Sequence, residues 1–201
     1  MSADSTNAPP RSLVLGSTSP YRRELLQRLQ LPFSVCAPQV DEVALPGEAP
    51  ASLARRLARA KAQAVAARFA QAIVIGSDQV AELDGEALGK PGTHDKAVAQ
   101  LRRMQGRSVL FHTAVAVVCS ATGFETLDLA PVRVQFRPLS DEEIDSYLRA
   151  EQPYDCAGSA KSEGLGITLL DAIESDDPTA LVGLPLIRTC RMLRAAGLRL
   201  P

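Results

Sequence analysis

The chain has 201 residues, 46% of them hydrophobic and 22% charged, with a formal net charge of −1. That length suits one domain with a full core. The near-neutral balance argues against bulk electrostatic binding to nucleic acid or acidic membranes, so any attraction for anions has to be local.

Residues 1–11 lack the basic start and apolar run of a signal peptide and read as a disordered tail, followed by a single domain over 12–201. No stretch approaches the roughly 18 apolar residues of a membrane span. Cys36, Cys119, Cys156 and Cys190 lie far apart with no C-x-x-C pair, and His94 and His112 stand alone. A zinc site is disfavoured, and reduced thiols in a cytoplasmic protein are expected. The histidines are given no functional role.

In chain order, Leu13-Val14-Leu15-Gly16 reads as a buried strand, with Ser19 as N-cap and Pro20 as first residue of a helix ending near Gln30. Arg22-Arg23 in its first turn oppose the helix dipole, at about 0.3–1 kcal/mol each when exposed. That placement makes sense if a polyanion sits before the free N–H groups. The plainer explanation is a solvated pair reaching acids such as Glu24. Phe33 to Ala37 reads as a second strand, and Pro38 to Pro50 as a loop carrying Asp41, Glu42 and Glu48. An Ala-rich helix is expected from a Ser52 cap to about Phe69, with Lys61 at the flank of its apolar stripe.

Ile73 to Gly76 reads as a short buried strand, followed at once by Ser77-Asp78-Gln79. Val80–Leu83 and Glu86–Leu88 flank Asp84-Gly85 as a hairpin. A helix over Thr93–Met104 stops at Gly106. Ser108–Ser120 and Phe124–Gln135 form a long β-pair, and Ser140-x-x-Glu143 is a capping box. A Gly-rich loop, Ala157–Gly166, leads into Ile167–Leu170, and Leu184–Ala196 closes as a helix. Early alternation followed by hairpins predicts an α/β fold with a mixed sheet.

Neither glycine-rich stretch is a known phosphate loop. Gly85-x-x-x-Gly89-Lys90-Pro91 is one residue short of a P-loop, with Pro91 where the metal-binding hydroxyl belongs. Gly164-x-Gly166 lacks the third glycine of a dinucleotide fingerprint. What remains is a scattered charged set. Asp78 stands just past a buried strand, where open α/β sheets place ligands, although a turn or cap aspartate explains it too. Lys90 is held extended by the following proline. Taken together, Arg22, Arg23, Lys61 and Lys90 would hold phosphate oxygens, Glu42 and Asp78 a hard divalent metal, and one acid could activate water.

These residues resemble a known family. Ser17-x-Ser19-Pro20-x-Arg22-Arg23-x-Leu25-Leu26, Val40-Asp41-Glu42, Leu57-Ala58-x-x-Lys61-Ala62, Gly76-Ser77-Asp78 and Gly89-Lys90-Pro91 are similar to the Maf nucleotide pyrophosphatases. So are Ala157-Gly158-Ser159 and Val182-Gly183-Leu184-Pro185. The resemblance implies an elongated α/β fold related to the inosine triphosphate pyrophosphatases, with a cleft between two lobes. It also implies cleavage of nucleoside triphosphates to monophosphate and pyrophosphate with Mg²⁺ or Mn²⁺ in the cytoplasm. Under it, Asp78 is the proton acceptor, and Ser17, Arg22, Arg23, Glu42, Lys61 and Lys90 match phosphate- and metal-handling positions. Tyr21, Gln79 and Glu163 resemble the branch acting on 7-methyl-GTP, with Tyr21 where that branch usually has Trp.

The chemistry agrees with that branch. N7 methylation makes guanine cationic, which suits a carboxylate at Glu163 and stacking on Tyr21 worth roughly 0.5–2 kcal/mol. Gln79 offers both a donor and an acceptor. The alternatives are a dTTP/UTP pyrophosphatase of the same family and a non-catalytic nucleotide-binding regulator of cell division. No nucleic-acid or membrane partner is expected, and a homodimer is left open.

Overall fold

A computed structural model describes residues 11–201. The tail expected over residues 1–11 therefore lies, Arg11 apart, outside the described residues. One mixed sheet holds seven strands: β1 (Leu13–Gly16), β2 (Phe33–Val35), β3 (Ile73–Leu83), β4 (Glu86–Leu88), β5 (Ser108–Cys119), β6 (Phe124–Phe136) and β7 (Leu170–Glu174). They run in the order β2-β1-β3-β5-β6-β7, with β4 on β3. The β2, β1 and β3 pairings are parallel and the others antiparallel. Five helices cover it: α1 (Pro20–Gln27), α2 (Pro50–Ala66), α3 (His94–Met104), α4 (Asp141–Glu151) and α5 (Leu186–Ala195).

Local signals set most boundaries. Ser19 accepts a hydrogen bond from the Arg22 N–H with Pro20 in the first turn, Thr93 caps α3, and Ser140 with Glu143 forms the expected box. Asp84 and Gly85 both take positive φ, as a two-residue turn of this hand requires. Other expectations need correction. α1 stops at Gln27, and Gln30 lies beyond it with φ 54°. α2 starts at Pro50, whose fixed φ already suits a first turn, so its N-cap is Ala49 and Ser52 lies inside. It ends at Ala66, short of Phe69. Pro185 delays α5 to Leu186.

The strand at Ile73 does not end at Gly76. It runs to Leu83, because β5 pairs with it without a break from Val74 to Glu82. On its other edge, β1 pairs only as far as Gly76 before the chain turns into α1, and β4 begins only at Ala81. Between them Ser77 to Val80 have no strand partner on that edge among the described residues, and a notch opens in the sheet. Alternation along the strand then sends Asp78 to one face and Gln79 to the other.

α2 covers the Asp78 face, with Leu57, Ala58, Ala62 and Val65 against Val74, Ala114 and Ala116. On the other face Leu25, Leu26 and Leu193 pack on Leu15, Ile75 and Val117, while further along the strands α3 and α4 bury Phe111, Val132 and Phe136. α2 sits very close to the sheet: a Cβ on Gly76 would lie 2.4 Å from the Ala58 carbonyl oxygen and 2.5 Å from the Ala62 nitrogen. Gly76→Ala is expected to cost about 1–3 kcal/mol through overpacking. That is several degrees of Tm by calorimetry, with a loss of activity, because Lys61 rides on the displaced turn.

Candidate active site

Every candidate residue except Arg23 lines one cleft of ≈ 620 Å³ at the notch. Arg23 is exposed and outside it. On an α-helix neighbouring residues point about 100° apart, and the one of the pair whose direction enters the cleft is Arg22. Its Nε donates to the Gly183 carbonyl at 2.8 Å, and its NH1 lies 3.4 Å from the Ser17 hydroxyl. Burial lowers the Arg22 pKa, while the Asp78 and Glu42 carboxylates pull it back up. Ser17 is buried and also accepts from the Ser19 N–H at 3.2 Å.

Lys61 is not at the flank of α2. It falls four residues after Leu57, on the same inward face, and is 5% exposed. Its ammonium donates to Asp78 Oδ1 at 2.6 Å and pairs with Glu42 Oε1 at 2.7 Å. Glu42 sits on the loop before α2, which Arg56 ties down through Glu48 and the Val43 carbonyl. Burial would raise the Glu42 pKa, but the Lys61 hydrogen bond and charge outweigh it, with Lys90 and Arg22 adding, and hold it below the usual carboxylate range. Lys90 is exposed at the cleft wall.

No group of three or more His, Cys, Asp or Glu residues able to hold a metal occurs among the described residues. Among the described residues, Asp78 and Glu42 are the two carboxylates that pair with Lys61, each giving it one oxygen. Two carboxylates are too few for a cation held by protein alone, but they fit Mg²⁺ or Mn²⁺ whose remaining ligands are water and substrate phosphate.

The opposite wall is suited to a ring. Tyr21 is half-buried, and burial together with the nearby Cys156 and Asp155 pushes its pKa to about 12 despite Lys161, so the phenol is neutral. The Lys161 ammonium lies 5.6 Å from its ring centroid and pairs with Glu151 at 2.9 Å. Burial likewise lifts the Cys156 thiol to about 12, which keeps it a poor nucleophile. Glu163 is exposed at the rim. Gln79 differs from expectation: its Nε2 is committed to Thr113 Oγ1 at 2.9 Å and to the Ala180 and Leu181 carbonyls at 3.0 and 2.9 Å. Its donor is spent, and Oε1 is the atom it can offer a ligand.

Asp155, Cys156 and the carbonyls of 180–183 were not anticipated as site groups. The run Val182-Gly183-Leu184-Pro185 gave a hint without a role, and a backbone carbonyl has no side-chain signature. The histidines lie outside the cleft lining. His94 bridges Asp145 and Tyr154, and His112 meets Glu82 at 2.6 Å. All four cysteines are unpaired.

A notched mixed sheet with three cations and two carboxylates converging on one side, and an aromatic ring with acceptor groups on the other, defines a fold class that sequence comparison identifies. The profile of the Maf-like protein family matches residues 12–196, and the chain belongs to that family. Among its relatives, a protein of Albidiferax ferrireducens named 7-methyl-GTP pyrophosphatase is 71% identical over 189 residues, covering 94% of this chain and 95% of its own. Proteins of the same name from a Polaromonas species and from Aromatoleum aromaticum are 72% and 62% identical, each over 94% of this chain and over 87% and 97% of their own.

Proposed function

We propose that this protein is a nucleoside triphosphate pyrophosphatase that cleaves 7-methyl-GTP to 7-methyl-GMP and pyrophosphate in the cytoplasm. The observation that carries this reading is the Glu42–Lys61–Asp78 arrangement in the notch, within the same cleft as Arg22, Lys90, Tyr21 and Gln79. The names of its relatives support it.

In this reading Arg22 and Lys90 grip the triphosphate oxygens and stabilise charge on the departing pyrophosphate. Lys61 keeps the Asp78 carboxylate aimed into the cleft. Asp78 takes a proton as a water oxygen attacks the α-phosphorus; the bond from that phosphorus to the α,β-bridging oxygen breaks, and the electron pair leaves with pyrophosphate. A divalent cation held by Glu42 and Asp78 would supply added positive charge against the phosphates. Its presence would explain why two acids line a site for a polyanion.

For the base, two acceptors face the cleft: Gln79 Oε1 and the Glu163 carboxylate. The guanine edge offers N1–H and N2–H donors, and N7 methylation adds a positive charge that Glu163 can pair with. The second cation over Tyr21, Lys161, is already neutralised by Glu151, so it does not forbid a cationic ring on the free face.

A screen of 7-methyl-GTP, GTP, UTP and dTTP with Mg²⁺ or Mn²⁺, assayed for pyrophosphate, tests the reading. The methylated nucleotide is expected to react fastest. Glu163→Gln should narrow its lead over GTP by about tenfold, the worth of about 1.4 kcal/mol from one charge-assisted contact. Faster cleavage of UTP or dTTP would favour the pyrimidine alternative, and no pyrophosphate from any nucleotide would leave a binding protein.

A further inference from the structure

Neither Asp177 nor Thr179 lines the cleft, yet both are heavily bonded, and the segment they begin touches both halves of the site. On its sheet side, the Ala180 carbonyl accepts from Thr113 Oγ1 at 2.8 Å and, with that of Leu181, from Gln79 Nε2. The Gly183 carbonyl accepts from Arg22 Nε at 2.8 Å and lies 2.9 Å from the fully buried Ser77 hydroxyl, whose one proton is shared with the Ala114 carbonyl at 2.8 Å. The groups that meet the base and the phosphates are thus held by one short strap.

The far side of the strap is fixed by an unusual helix start. α5 follows Pro185, which has no side-chain hydrogen bond to give its first turn. The orphan N–H groups are met from upstream instead: Leu186 N donates to Thr179 Oγ1 at 2.8 Å and Arg188 N to Asp177 Oδ2 at 3.0 Å. Thr179 Oγ1 lies 2.7 Å from the Leu184 carbonyl and 3.2 Å from Asp177 Oδ1, and Asp177 is fully buried. A buried carboxylate with these partners defines the path of the strap tightly.

We infer that Asp177 and Thr179 are positioning residues for the proposed hydrolysis: by fixing the strap they hold Arg22 and Gln79 together, so that base readout and triphosphate grip depend on one segment. The Gln79 amide cannot turn over while the strap is in place, since Oε1 would then face two carbonyl oxygens. Tethering Arg22 at Nε leaves NH2, and the second N–H of the NH1 that meets Ser17, for phosphate. Loosening the strap frees both.

This inference rests on the pyrophosphatase reading for its kinetic test. Asp177→Ala in the full chain is expected to lower kcat/KM for 7-methyl-GTP about 30-fold but for ATP only about threefold, since a freed Gln79 amide can turn and offer its N–H to the adenine N1, where guanine has a donor. Leu193→Ala, which removes a fully buried side chain of the same helix without touching these bonds, should lower Tm yet keep the preference. In a Gln79→Ala background, Asp177→Ala should remove no further preference. An unchanged preference in Asp177→Ala, an equal loss in Leu193→Ala, or additive losses with Gln79→Ala would each overturn the inference. Thr179→Val carries the same test should Asp177→Ala fail to fold. If the wild type prefers another triphosphate, only the substrate reading falls, and the variants are scored on that nucleotide. If it cleaves none, NMR decides: the Gln79 side-chain amide protons should exchange slowly in the wild type and fast in the variant, and fast exchange in the wild type sinks the strap.

Discussion

Asp78→Asn is expected to cut the rate of pyrophosphate release by about 10³-fold while leaving nucleotide affinity within a few-fold of wild type. Asn keeps the shape of the side chain, and its carbonyl oxygen still accepts from Lys61, so the fold around the notch is preserved. What is lost is the group that takes the proton of water, together with one of the two negative charges that would hold a divalent cation. Removing a negative charge from a site for a polyanion does not weaken nucleotide binding by itself, which is why rate and affinity should separate. Single-turnover pyrophosphate release and nucleotide binding by fluorescence, measured side by side, check this. A variant that turns over at a tenth of the wild-type rate or faster would remove Asp78 from the role of proton acceptor.

The parts of the fold that sequence made legible are those with local causes. Ser19-Pro20, Asp84-Gly85 and the Ser140/Glu143 box each settle their own backbone within a few residues, and all three stand where expected. The continuity of β3 was hidden because it is enforced by β5, a strand distant in sequence whose partners run from Val118 opposite Val74 to Leu110 opposite Glu82. The aspartate rule pointed to the cleft for a related reason: Asp78 stands two residues beyond the end of the parallel pairing, though inside the strand. The buried Lys61 was misplaced since a lysine on an apolar stripe looks costly until its two carboxylates are known, and those come from a loop and a strand. Arg22 and Arg23 are indistinguishable by type, and only the packing of Leu25 and Leu26 decides which one turns inward. The strap was illegible, the atoms that meet Arg22 and Gln79 being carbonyl oxygens.

Lys61→Met should produce the largest stability loss of any substitution at the site. Met fills the same volume along the apolar stripe, so the loss is one of charge. Glu42, 59% exposed at its side chain, can return to water with little penalty, about 0–1 kcal/mol. Asp78, 10% exposed, cannot, and stripping a buried charge of its partner costs up to about 3–5 kcal/mol. For a chain of this size that corresponds to a fall in Tm on the order of 10 °C.

The pH dependence has a definite sign. In the wild type the Glu42 pKa is held below its ordinary 4.5, so its contribution is fully present above that value and fades as pH falls through the lowered one. The variant has no such contribution to lose. The Tm gap between the two proteins should therefore be widest near neutrality and shrink on acidification below the ordinary carboxylate pKa. A second substitution isolates the cause: Lys61→Met with Asp78→Asn removes the orphaned charge, and the double variant should melt higher than Lys61→Met alone, a coupling that two independent defects would not show. Should the double variant instead melt lower by the sum of the single losses, Lys61 would be a packing residue of α2, and the pairing that organises the notch would carry no energy.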